Sequence, residues 1–218
     1  MRNESKTSDN LKSSFISRES TKDKLKVKGF FNATLYSPAE YNRNLVLRLR
    51  KYLDLSKNEK EQSEIKHEIS SLMIPQWESG FQNLTPNAAI NDILDKYWAG
   101  SAYTAAWYMG LINDTTFTGI SASDTISSHA GWVEDTNYTE ANRQTCAFSA
   151  ASGGIKTLSS ACVFSINATT TLKGAFIVSD NTKGGTTGTL SSVALYTEGD
   201  RAAKNGDSLS LTFQHVLV

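Results

Sequence analysis

The chain has 218 residues, 39% of them hydrophobic, and 22 Lys/Arg against 22 Asp/Glu. That is enough apolar side chain for a folded core, and a net charge of zero carries neither a general attraction for nucleic acid nor the mark of an acidic tail. The balance hides a split: residues 1–72 hold 15 basic and 10 acidic side chains, residues 73–218 hold 7 and 12, which fits either a solvated helical segment beside an ordinary β domain or oppositely charged halves that attract between neighbouring subunits.

Residues 1–24 are polar and mixed in charge, the composition of a terminal arm that buries little. They contain no apolar core of a secretory signal, and no run long enough to cross a membrane follows, so synthesis and assembly in a cytoplasm are expected. From Leu25 the pattern alternates, with Leu25, Val27, Gly29, Phe31, Ala33 and Leu35 on one side, which predicts a half-buried strand over 25–36. Ser37, Pro38 and Glu40 have the types of a helix start, and Ser56 with Glu59 repeats them. A helical hairpin is therefore predicted over 38–72, its first helix apolar at Leu45, Leu49, Tyr52 and Leu53, its second at Ile65, Ile69 and Leu72.

Pro75 closes the hairpin and extended chain follows. Asn87 is placed to cap a short amphipathic helix in which Ile90, Ile93, Leu94 and Tyr97 share a face, expected to pack on a sheet. Segments around 102–112, 161–180, 189–198 and 207–218 are rich in β-branched and aromatic residues and are separated by turn formers. No helical crossover separates the later strands. The predicted fold is mainly β, an antiparallel β-sandwich of immunoglobulin-like or jelly-roll-like kind, with the helical hairpin inserted and one short packed helix. The predicted organisation is an arm at 1–24 and one β-rich domain at 25–218 that carries the 38–72 insertion.

Residues with catalytic potential are few. Asp124, Ser127, Ser128 and His129 have the types of a hydrolase triad, but they lie within six positions and lack a nucleophile elbow, so they read as a capped turn of helix with Trp132 at its exit. His67 and His215 have no ligand-type neighbours in sequence. Cys146 and Cys162, the only cysteines, cannot make a four-ligand zinc site; they read as core residues, and a disulfide requires side chains that face at bonding distance. "KGGTTGTL" at 183–190 lacks the order of a phosphate-binding loop and reads as a turn, its glycines fitting equally a tight link between two strands and a contact loop at the tip. Trp107 is expected to face inward. Trp77 and Trp132 lie nearer turns and, with Lys183, Thr186 and Thr187 of the 183–190 tip, form the candidate interface. No catalytic residue, cofactor or metal ligand is nominated.

Three blocks, "NAAINDILDKYWAGSAYTAAWYMGLI", "SDTISSHAGWVEDTNYTEANRQT" and "FSINATTTLKGAFIVSDNTKGGTTGTLSSVALY", resemble in order and spacing a family of small virion structural proteins of tailed bacteriophages. The resemblance spans roughly 73–218 and extends to the 25–36 strand; the hairpin lies outside it, as an insertion where relatives have a short turn, and so does the arm. "QTCAF" also stands where similar proteins continue with Pro and Trp. The resemblance implies a non-enzymatic virion component, an auxiliary capsid protein that decorates, cements or anchors fibres. Its partners would be other virion proteins in a homo-oligomer or symmetric array, without membrane or direct nucleic-acid contact. The alternatives are a tail, adaptor or fibre-base component, and a carbohydrate-binding or degrading module.

Overall fold

A computed structural model describes residues 27–98, 100, 102 and 106–217, with Trp98 described by its backbone alone. The expected arm, the start of the first strand at Leu25, and residues 103–105 lie outside the described residues.

Strand β1 (Val27–Pro38) keeps the alternation read from its sequence: Gly29, Phe31, Ala33 and Leu35 are buried and Asn32 is exposed. It pairs on one side with β2 (Met73–Leu84) and on the other with β11 (Ser208–Leu217), both antiparallel. The outer half of the fold is built from β3 (Tyr108–Asn113), β4 (Val133–Asp135), β5 (Gln144–Thr145), β8 (Thr170–Val178), β9 (Leu190–Leu195) and β10 (Arg201–Ala203), while β6 (Ile155–Thr157) and β7 (Cys162–Ser165) extend β11. The main path runs β4-β3-β8-β9-β2-β1-β11-β6 in one eleven-stranded sheet. The fold is mainly β and sandwich-like, as the strand pattern predicts.

Strand β2 is where the sheet folds over. Its residues up to Gln82 pair with β1, whereas Asn83 and Leu84 pair with Ala194 and Val193 of β9. The two halves therefore face each other. Phe31, Phe81, Leu211 and Phe213 on one side meet Met109, Leu111, Ala175 and Ile177 on the other. Phe31 stacks on Phe81 at 5.2 Å and lies 4.4 Å from Phe213, each ring worth roughly 1.5–3 kcal/mol of burial. Strand β8 is apolar on both faces: Phe176 and Val178 point away from this core into a second cluster, covered by Ile126 and Trp132 of the connection between β3 and β4. That double burial explains why "GAFIV" reads as a continuous apolar run rather than an alternation.

The helical hairpin joins two strands that pair with each other, since Pro38 faces Met73 across the ladder. Helix α1 (Arg43–Leu55) starts later than its sequence suggests. Ser37 and Pro38 still belong to β1, and a single 3-10 turn at Glu40–Asn42 precedes the helix. Pro38 is tolerated because it ends the strand. Pro75 likewise lies within β2, next to a register shift opposite Leu35 and Tyr36, where a missing N–H is accommodated. The cap of α2 (Glu59–Ser71) is Asn58, whose side chain accepts from the Lys60 N–H at 3.0 Å, while Ser56 donates to Glu61 at 2.6 Å. Ile65 of α2 is buried as expected.

The docking face of α1 differs from the expected one. Its buried apolar residue is Val46, and Tyr52 is exposed. Two arginines on the Val46 side do the anchoring. Arg43 donates to the Asp207 carboxylate at 2.9 Å and to the Asn205 carbonyl at 2.8 Å, and Arg50 donates to the Asp207 carbonyl at 3.1 Å. Asp207 is itself buried and also accepts from the Lys204 N–H, so the turn before β11 forms a fixed acidic socket.

Helix α3 (Asn87–Trp98) forms where expected but faces the other way. Ala89 is buried, whereas Ile90, Ile93 and Leu94 are 42%, 46% and 49% exposed. The expected packing of that apolar stripe on the sheet does not occur. The helix is held instead at its first turn, with Ala89 buried and the Asn87 N–H bonded to the Ala122 carbonyl, while Asp92 and Lys96 pair within the helix at 2.8 Å.

His215 of β11 sits between Phe213, edge-on at 4.5 Å, and Phe148 at 6.0 Å. Burial, followed by the charge of Lys156, pushes its pKa down to about 4. The neutral ring is the folded form, and the unfolded chain takes up the proton first, near pH 6.5. This site's contribution is therefore complete above about pH 6.5 and is lost as pH falls towards 4, up to about 3 kcal/mol. Urea denaturation from pH 7 to 4 should show a shallower loss of stability in His215→Leu than in the parent chain; equal slopes would rule the site out.

Candidate interface

The β8–β9 connection, residues 179–189, holds three of the five residues nominated for an interface. Its base is closed by the Ser179 N–H on the Thr189 carbonyl at 3.1 Å and by the Thr189 N–H on the Ser179 hydroxyl at 2.8 Å. Gly184 and Gly188 take φ of +74° and +100°, a region other residues enter only under strain, so the loop reverses twice within a few residues. Asp180 receives the Thr182 N–H at 2.9 Å, and that bond holds its carboxyl below the usual range.

Beneath the loop lies a buried ion pair. Arg143, with its side chain fully buried, grips Glu134 through Nε at 3.0 Å and Nη2 at 2.7 Å. Its remaining donors reach into the loop, to the Asp180 carbonyl at 3.0 Å and the Gly185 carbonyl at 2.7 Å, while Glu134 accepts the Gly184 N–H at 3.0 Å. The guanidinium also lies 5.2 Å from the centre of the Phe176 ring. A bidentate pair with its spare donors satisfied is the arrangement in which burial of two charges is tolerated. It holds the loop in one shape.

Lys183 belongs to the same scaffold rather than to the surface. Its ammonium donates to the carbonyls of Tyr138 at 2.9 Å and Glu140 at 2.7 Å, above the Tyr138 ring. Thr186 and Thr187 are exposed at the tip, beside the exposed Gly184 and Gly188. The remaining two nominees are turned inward. Trp132 is 1% exposed, stacks on His129 at 3.9 Å, and donates its indole N–H to Asp124 at 3.0 Å, so it cannot meet a partner. Trp77 is half-buried, with Tyr196 edge-on at 5.4 Å and the Arg201 guanidinium over its ring at 5.3 Å.

Asp124, Ser127, Ser128 and His129 are held by structural bonds. Asp124 accepts from the Ser121 N–H and the Trp132 indole, His129 Nδ1 lies 2.9 Å from the Trp132 carbonyl, and Ser127 bonds Thr125. The expected turn of helix is instead a tight reversal in which Thr125 and Ser128 pair. Cys146 and Cys162 are buried side by side as free thiols, 4.0 Å apart. The neighbouring thiol and burial together raise the Cys146 thiol, which keeps it protonated and unreactive. Among the described residues, no three His, Cys, Asp or Glu side chains group as a metal site, and no helix is long and apolar enough to cross a membrane.

Two surfaces missed from sequence complete the picture. One is the outward stripe of α3. The other is a groove of about 1030 Å³ between the helical hairpin and the β7–β11 edge, with Leu53, Ile69, Met73 and Val163 in its lining. The stripe was visible as a helical periodicity but not its direction; the groove has no local signal, because its walls come from distant segments.

No family model and no curated protein matches this chain.

Proposed function

We propose that the chain is a structural component of a tailed-bacteriophage particle, an auxiliary capsid protein that decorates, cements or anchors fibres on the shell. The three sequence blocks that resemble virion proteins support this reading. One structural observation carries the mode of action: α3, inside the first of those blocks, turns Ile90, Ile93 and Leu94 to solvent. An isolated subunit gains nothing from an apolar stripe in water, whereas a contact with another protein removes it. The 179–189 loop adds support, because a loop already held in one shape loses little freedom when it binds. The chain works, on this reading, through subunit contacts in the virion, assembled in the bacterial cytoplasm.

Particles of the phage whose genome encodes the chain provide the test. Quantitative mass spectrometry of gradient-purified particles should find it at a fixed ratio to the major coat protein, and mild heat should release it with shell components. Absence from washed particles would overturn the proposal. Release with tails would reassign it to an adaptor or fibre base.

A further inference from the structure

We infer that copies of this chain associate head to tail, the α3 stripe of one copy seated in the groove beneath the helical hairpin of the next. The inference rests on the proposed role as an assembling subunit and names its partner as a second copy.

The two surfaces lie at opposite ends of β1. The Val27 carbonyl accepts from Thr85, two residues before α3 begins, whereas Tyr36 and Met73 line the groove. At about 3.3 Å per residue, these ends are roughly 30 Å apart. A helix of α3's length, about 18 Å, cannot fill the groove of its own chain. Another copy's helix can.

The surfaces also match in chemistry. Val163 on the groove floor is 43% exposed, an aliphatic surface like that of Ile90, Ile93 and Leu94. Arg50, Lys51 and Lys66 line the groove against Asp54 and Glu140, and Arg48 stands beside Lys51 along α1. Glu140 already accepts the Ser165 N–H. On α3, Asp95 is exposed beside the stripe and Asp92 is the partner of Lys96. A basic excess thus faces an acidic one, which favours this register. Pairing two α3 stripes about a twofold axis would instead set the same carboxylates near each other. A contact between different surfaces propagates into a ring or an open array.

Sedimentation of the full chain over a concentration series tests this, with Ile93→Glu to spoil the stripe and Val163→Glu to spoil the groove. Both positions are solvent-exposed, and unchanged thermal melts would show that both variants fold. The parent chain should gain mass with concentration, and each variant should raise the midpoint at least about tenfold. A mixture of the two variants should form one-to-one pairs and nothing larger, because each retains one intact surface. The inference fails if the parent chain stays monomeric, if Val163→Glu associates like the parent, or if the mixture forms no pairs. A chain found at fixed ratio in particles yet monomeric in solution would sink this contact and leave the virion role standing. Self-association of a chain absent from particles would do the reverse.

Discussion

Replacing Arg143 with methionine is expected to lower stability by about 3–5 kcal/mol, because it leaves the Glu134 carboxylate buried without its counter-charge. For a chain of this size that is a fall in Tm on the order of 10 °C. The damage should concentrate in one place. Arg143 holds the Asp180 and Gly185 carbonyls and Glu134 holds the Gly184 N–H, so amide exchange over 180–187 should accelerate more than exchange in β1 or β11. The double variant Glu134→Leu/Arg143→Met should recover part of the loss, since it removes the stranded charge. It should not restore the slow exchange of the loop, whose partners would still be gone. If Arg143→Met melted with the parent chain, the pair would not be the scaffold of the loop.

Trp132→Ala is expected to have an effect of similar size, about 3–5 kcal/mol, for a different reason. The indole closes the outer face of β8, 5.1 Å from the Phe176 ring, and its removal opens a void that β-sheet neighbours cannot fill. Asp124, only 8% exposed in the parent chain, would also lose a hydrogen-bond donor. Trp132→Phe separates the two effects. It retains much of the ring and loses the N–H, and should cost about 1–3 kcal/mol. Chemical denaturation of the three proteins measures this directly, and equal stability of the parent and Trp132→Ala would mean that the 114–132 connection does not cover the sheet.

These two residues mark the limit of what a linear reading reveals. β1 was legible because one buried face imposes a period of two, and Phe31, Ala33 and Leu35 obey it. The second helix was legible by its thin stripe, of which Ile65 is buried. Capping types were less decisive: Ser37 and Pro38 suit a helix start and a strand end alike, and the long-range pairing of Pro38 with Met73 decides between them. Trp132 counts among the interface candidates by its place near a turn, yet the turn folds back over β8 and takes the indole inside. Arg143 and Glu134 leave no pattern, since the pair joins β4 to the residue before β5 and its further partners come from the 179–189 loop. For α1, the spacing of Leu45, Leu49 and Leu53 points to an apolar docking face, while the chain uses Arg43 and Arg50 against the buried Asp207. For α3 the spacing locates the helix but not the direction its apolar stripe faces. The same spacing of apolar residues describes a helix buried on its own sheet and one kept for another molecule.

The place of the helical hairpin has a further consequence. Its two ends meet as facing residues of one ladder, Pro38 and Met73, so the 39–72 segment enters and leaves the sandwich at a single point. Such a junction tolerates added sequence within the hairpin, because the register of β1 and β2 is held by their own pairing up to that point. The exposed turn at Lys57, between α1 and α2, is thus a natural place for grafted sequence, displayed at one end of the fold while Arg43 and Arg50 keep their hold on Asp207.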